Sequence, residues 1–228
     1  MNKEQLERTI GLIGEENVNK LSNATVLVCG LGGVGGTALE ALARSGIGSF
    51  IIVDFDKVSP SNLNRQILFT SLDIGKEKVD CAHQRIKSIN PEANIINLNT
   101  KVDDFFVDKI KNFSIDFIVD AIDDIKGKVV LGLFAKQNNI PLILSLGMAN
   151  RLDSTKVNII RLDKTTNDPL AKKLRYEYKK AGIDTKSFYA AYSSEIPIKD
   201  GTKLNSMMMA PSASGLAIAG YVINKLIN

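Results

Sequence analysis

The stretch VLVCGLGGVGGTALEAL, Val26 to Leu42, decides the fold. An apolar run ends in a glycine-rich turn, and the residues after the turn carry a helical pattern. Gly30, Gly32 and Gly35 fit the spacing G-x-G-x-x-G, and Gly33 lies within the same turn. Each glycine has a physical reason. Gly30 permits the tight turn out of the strand, Gly32 lets backbone approach a phosphate, and Gly35 lets the helix pack against the strand. The N-terminus of the following helix then offers unpaired N–H groups to an anion. Asp54 ends the next apolar run, FIIVD, 19 residues beyond Gly35. A carboxylate there accepts hydrogen bonds from ribose hydroxyls. A nucleotide site follows, but NAD and ATP fit it equally at this point.

Working outward, apolar runs alternate with helical patterns. TVLVC (25–29), FIIVD (50–54), NIINL (94–98), IDFIVDAI (115–122), PLILSLG (141–147) and KVNIIRL (156–162) read as strands. Helical patterns fall near Gly35, over 75–90, over 102–113, over 126–138 and over 169–181, with a last helix aligning Leu216, Ala219, Ile223 and Leu226. Residues 183–213 read as loop and short strand. This alternation predicts an α/β protein with a Rossmann-like, doubly wound, mostly parallel sheet. One domain over 1–228 is expected, with a helical arm at 1–22 and a C-terminal extension, 150–213, built on the same sheet and facing the substrate.

Composition narrows the classes. The chain has 228 residues, 44% hydrophobic and 24% charged, with a net charge of +4, as in an ordinary globular protein tolerant of an anionic partner. Its two cysteines, Cys29 and Cys81, read as buried apolar side chains and form no C-x-x-C pair for zinc. The polar start MNKEQLERT lacks the apolar core of a signal peptide, and no run of ~18 apolar residues suggests a membrane span, so a cytoplasmic location is expected. The single histidine, His83, sits mid-helix and reads as structural, leaving no histidine-based catalytic group.

The tie between NAD and ATP breaks downstream. SNLNRQILF (61–69) and GKEK (75–78) place Arg65 and Lys78 beyond the ribose acid. A nicotinamide has no use for two added cations, whereas a triphosphate under attack does. VDAIDD (119–124) closes a later strand and puts Asp123 where a Mg²⁺ beside the phosphates would lie, with Asp124 reading as a helix cap. An NAD-binding oxidoreductase is therefore the weaker reading. An idle ATP-binding protein is another rival, against which the retained Arg, Lys and Asp set argues.

The ordered set GLGGVG, D-F-D, N-L-N-R-Q, G-K-x-K and D-A-I-D resembles the ubiquitin-activating-enzyme-like (ThiF/MoeB-type) adenylyltransferases, which use ATP to adenylate a carboxylate. That resemblance implies that Asp54 holds ribose, that Asn62, Arg65 and Lys78 hold the phosphates, that Gln66 also binds the nucleotide, and that Asp123 binds Mg²⁺. Arg8, in RTIGLIG, matches an arginine such enzymes reach across a homodimer interface to the partner's ATP. One branch of the superfamily activates ubiquitin-like sulfur carriers, but its paired zinc cysteines and crossover-loop cysteine are missing here. EALARSGIG (40–48), IPLILSLGMANRLDSTKV (140–157), TTNDPLAKKLR (165–175) and YSSEIP (192–197) are instead similar, nearly end to end, to the tRNA threonylcarbamoyladenosine dehydratase family. This implies a tRNA substrate, adenylation of its threonyl carboxylate and intramolecular ring closure, with a sulfur or redox partner protein left open. Lys172, Lys173, Arg175, Lys179 and Lys180 against the single acid Glu177 would meet a tRNA backbone, or form an ordinary solvated face. The link IKDGTKLNSMMMAPSASG, from Ile198 to Gly215, is shorter than in some members of that family, so the tRNA-facing surface is expected to be smaller or differently built.

Overall fold

The computed structural model describes residues 1–198 and 203–228. The part of the Ile198–Gly215 link over 199–202 therefore lies outside the described residues. Fifteen elements follow in chain order: α1 (Glu7–Ile13), α2 (Glu15–Asn23), β1 (Thr25–Cys29), α3 (Gly33–Arg44), β2 (Ser49–Asp54), α4 (Lys78–Ile89), β3 (Asn94–Asn99), α5 (Phe106–Ile110), β4 (Phe117–Asp120), α6 (Ile125–Asn138), β5 (Leu142–Ser145), β6 (Val157–Arg161), α7 (Pro169–Lys180), β7 (Tyr189–Ser193) and α8 (Met209–Ile227). The strands form one sheet in the order β3-β2-β1-β4-β5-β7-β6. Every pairing is parallel except that of β6 with β7.

Apolar side chains on both faces of β1, β2 and β4 explain the two layers of helix, because a parallel strand is buried on both sides. One face packs on α2, α3, α4 and α8 through Leu21, Leu39, Leu42, Ile86 and Ile218. The other packs on α5, α6 and α7 through Phe106, Leu131, Phe134, Leu174 and Tyr178. The Rossmann-like reading holds, and the extension does join the same sheet through β6 and β7. No described helix is long and apolar enough to cross a membrane.

Three details depart from the sequence reading. The helix expected over 102–113 is short, because the Asp103 carboxylate accepts the Phe105 amide at 3.0 Å and holds a turn in place of a longer helix start. The short strand expected within 183–213 is present as β7, between β5 and β6. On α8 the expected Ala219, Ile223 and Leu226 do pack on the core, but Leu216 is exposed and the fully buried stripe is Gly215, Ile218, Ala219 and Val222, at i, i+3, i+4 and i+7. A Cβ on Gly215 would lie 2.5 Å from the Val34 carbonyl, so that stripe faces α3 at close range. Helix α4 begins at Lys78, not Gly75, since Gly75 adopts φ +86 and Glu77 bridges to Lys57. His83 bonds Asn97 at 3.0 Å, as a structural histidine would.

Candidate active site

The strand order reverses between β1 and β4, and ligands of such sheets bind outside the carboxyl ends of the strands at that point. A cavity of about 610 Å³ opens there. Gly30, Gly32, Gly33, Asp54, Asn62, Arg65, Gln66, Lys78 and Asp123 all line it, so most of the residues singled out from the sequence do converge.

The glycine loop forms its floor. Gly30 has φ +88, and a Cβ on it would meet the Ala121 carbonyl oxygen of the adjacent strand end at 2.6 Å. A Cβ on Gly35 would sit 1.8 Å from the Gly30 oxygen, so the helix reaches its strand only with glycine there. Gly32 precedes α3 without side-chain capping, and the first amides of a helix have no acceptor within it, so this end is suited to an anion.

Asp54 is buried and fixed. Its Oδ2 accepts from the Leu31 amide at 2.7 Å and its Oδ1 from the Asp56 amide at 2.9 Å. Lys78 is also buried, with its Nζ 2.8 Å from Asp56 Oδ2 and 3.9 Å from Asp54 Oδ1. Asp56 stands in the D-F-D motif, but the sequence reading gave it no role; it holds the Lys78 ammonium at the cavity wall. Arg65 is half-buried, its Nη1 anchored on the Ser61 carbonyl at 2.8 Å and on Asn64 Oδ1 at 2.9 Å. Asn62 closes a turn by accepting the Ser59 amide on Oδ1 at 2.9 Å. Gln66 is buried and its Oε1 has no partner, beside Gly32. A buried, unpaired amide oxygen at a cavity wall suits a ligand that supplies a donor.

On the opposite wall Asp124 caps α6 through the Gly127 amide at 2.7 Å. Asp123, next to it, stays exposed at the cavity. Among the described residues no cluster of three acidic, histidine or cysteine side chains could hold a metal by itself. A single carboxylate still suits Mg²⁺, which binds through one or two carboxylates with phosphates and water supplying the rest. Sequence reasoning missed the outer wall: Phe55, with Lys101 Nζ 4.6 Å from its ring centroid, and Lys126. Phe55 follows Asp54 directly, so its half-exposed ring was the one available signal.

Beneath the site Asp120 and Lys128 are fully buried and paired at 2.8 Å. Lys128 also donates to the Ser145 carbonyl at 2.9 Å, which ties β4, α6 and β5 together. Burial drives the Asp120 carboxyl above its ordinary range, against the pull of Lys128. Both cysteines are buried; burial and Asp120 raise the Cys29 thiol well above its usual range, and burial raises that of Cys81. Neither is an activated thiolate.

Two expected residues stand apart. Arg8 lies exposed on α1 and is not part of this chain's cavity. Arg175 is half-buried and donates to the Thr165 carbonyl at 3.0 Å and to the Thr165 hydroxyl, so it braces α7 instead of joining an open basic face.

A Rossmann-like cavity with an open helix N-terminus, a ribose-type acid and a basic wall defines a nucleotide-binding protein. The chain belongs to the ThiF family, whose model matches residues 5–193. It is 36% identical to the tRNA threonylcarbamoyladenosine dehydratase of Bacillus subtilis (strain 168), over 98% of this chain and 94% of that protein. It is 35% identical to the enzyme of that name from Escherichia coli (strain K12), over 85% of this chain and 76% of that protein. The crystal structure of the E. coli tRNA N6-threonylcarbamoyladenosine dehydratase in complex with ATP superimposes with a TM-score of 0.93 at 30% identity, covering 99% of this chain and 94% of that one.

Proposed function

We propose that this chain catalyses the ATP-dependent dehydration of threonylcarbamoyladenosine in tRNA. The carrying observation is likeness along the whole chain to proteins of that name, including β6, α7 and β7 beyond the nucleotide motifs. In the proposed reaction, an oxygen of the threonyl carboxylate attacks the α-phosphorus of ATP and pyrophosphate leaves. An internal nitrogen or oxygen of the modified base then attacks the acyl carbon, and AMP leaves with the carboxylate oxygen. The ring closes with net loss of water.

The residues fit this chemistry. Asp54 would take the ribose hydroxyls, the amides of α3 with Asn62, Arg65 and Lys78 the phosphates, and the Gln66 amide oxygen a donor of the nucleotide. Arg65 and Lys78 would oppose the charge that grows on the phosphoryl oxygens. Asp123 would hold Mg²⁺, which when bound neutralises the leaving pyrophosphate. No side-chain nucleophile is needed, because the second nucleophile is tethered to the substrate.

The working unit is a homodimer in this reading, with Arg8 reaching the partner's phosphates. Helix α1 supports it. None of its seven residues is fully buried and Leu12 is 84% exposed, so apart from Ile13 on the core edge this short helix has little of the packing that stabilises such helices. The test is mass spectrometry of nucleosides from tRNA carrying threonylcarbamoyladenosine, incubated with protein, ATP and Mg²⁺. The expected result is loss of one water from that nucleoside, matched by AMP release. An unchanged nucleoside in the presence of folded protein rejects the proposal.

A further inference from the structure

Tyr176 is 67% exposed on α7, an unusual setting for a large aromatic ring. Lys172, Lys173, Lys179 and Lys180 stand at i−4, i−3, i+3 and i+4 from it, each one turn away, and all are exposed. None of the four pairs with a carboxylate among the described residues. Glu177 is half-buried, and beyond the helix end the Asp184 carboxylate accepts the Lys186 amide. Helix stability does not account for this pattern. Lys179 and Lys180 suit the negative C-terminal end of the helix, but Lys172 and Lys173 lie near the positive end and oppose it.

The helix beneath this face is held firmly. Asp168 caps it through the Ala171 amide at 2.9 Å and also accepts the Gly147 amide at 3.0 Å. The Tyr178 hydroxyl donates to the Lys128 carbonyl at 3.1 Å from the buried side. Gly147 lies just beyond the carboxyl end of β5, the neighbour of β4, so α7 starts at the end of the sheet that carries the cavity. A rigid ring flanked by four cations suits RNA: the lysines match backbone phosphates, and the ring offers a stacking surface to an unpaired base. An anionic membrane would instead favour several exposed apolar side chains on the same face, and this one has Tyr176 alone.

We propose that the exposed face of α7 docks the tRNA, with Lys172, Lys173, Lys179 and Lys180 on its phosphates and Tyr176 stacked on an unpaired base near the modified nucleotide. This rests on the dehydratase reading above and adds the surface that reading lacks. The test measures affinity for tRNA carrying threonylcarbamoyladenosine by fluorescence anisotropy across a salt series. Variants are the fourfold Lys→Gln protein, Tyr176→Ala and Tyr176→Phe, with thermal melts and ATP affinity as controls for folding and for the cavity.

The fourfold variant is expected to bind at least tenfold more weakly, with the log–log salt slope reduced by about 3 for four contacts to a single strand. Tyr176→Ala should weaken binding between roughly fivefold and a hundredfold, and Tyr176→Phe should restore it, since stacking needs the ring and not the hydroxyl. Wild-type affinity and slope in the folded fourfold variant would overturn the surface. So would loss of binding to phosphatidylserine vesicles with tRNA binding intact, which would assign the face to a membrane. If the wild-type protein converts the nucleoside while the variants bind as it does, the docking surface fails and the dehydratase reading stands. If the wild-type protein binds tRNA through α7 but never converts the nucleoside, the reverse holds.

Discussion

At the residue scale the glycine loop separates two jobs that one motif combines. Gly35 faces the Gly30 oxygen with no room for a methyl group, whereas a Cβ on Gly32 would meet nothing nearer than Gln66 at 3.9 Å. Gly32 also has φ −72, which alanine adopts without strain. Gly35→Ala should therefore destabilise the protein by about 3 kcal/mol or more, as backbone must move to admit the Cβ. Gly32→Ala should melt near the wild-type temperature yet bind ATP at least tenfold more weakly, because its methyl group would project into the proposed phosphate path. Calorimetric melts with ATP titrations check both, and equal loss of fold in the two would refute the division of roles. Asp123 allows a cleaner cut between structure and chemistry, since its neighbour Asp124 already caps α6. Asp123→Ala should leave the melt unchanged and abolish turnover, and full activity in that variant would remove it from the site.

Among the elements, the corner from β4 to α6 depends on a buried ion pair. Lys128 reaches Asp120 and the Ser145 carbonyl from inside the core, so Lys128→Met strands a carboxylate in apolar surroundings. The expected cost near neutral pH is about 3–5 kcal/mol, and the double change with Asp120→Asn should recover part of it. The sign of the pH dependence follows from burial. A carboxyl whose pKa is raised binds its proton more tightly folded than unfolded, so its contribution falls as pH rises through the shifted range. Lys128→Met should thus lose stability steadily as pH climbs from the ordinary Asp value, and urea melts across pH measure it. A variant as stable as wild type, with a flat pH profile, would contradict this account. The VDAIDD motif pointed to Asp123 and left Asp120 unassigned, because a buried partner eight residues on, in the next helix, has no local signature. The same limit explains the elements. Strands with continuous apolar runs were legible, and so was α7, which carries an Asp cap and Pro169 at its first position. β7 was only faintly legible, since YAAYS has two alanines and depends on β5 and β6 for its place. On α8 the apolar pattern found Ala219, Ile223 and Leu226 but failed at Leu216, because Gly215 sets which side meets α3.

For the whole molecule the question is whether one chain completes the site. The cavity gathers Arg65, Lys78 and Asp123 from a single chain, and Arg8 stays outside it on a helix with no fully buried residue. A two-fold dimer would place that helix against a second copy, and each copy would then lend an arginine to the other. Arg8→Ala and Asp123→Ala should each be inactive alone, and both positions are exposed, so both proteins should fold. In a hybrid dimer one site would combine an intact Asp123 with an intact Arg8 from the other chain. Equal mixing with free exchange makes half the dimers hybrid, each with one complete site, so about a quarter of wild-type activity should return. Native mass spectrometry of the mixture establishes exchange, and nucleoside analysis measures activity. Exchange without recovered activity would rule out Arg8 acting on the partner's site.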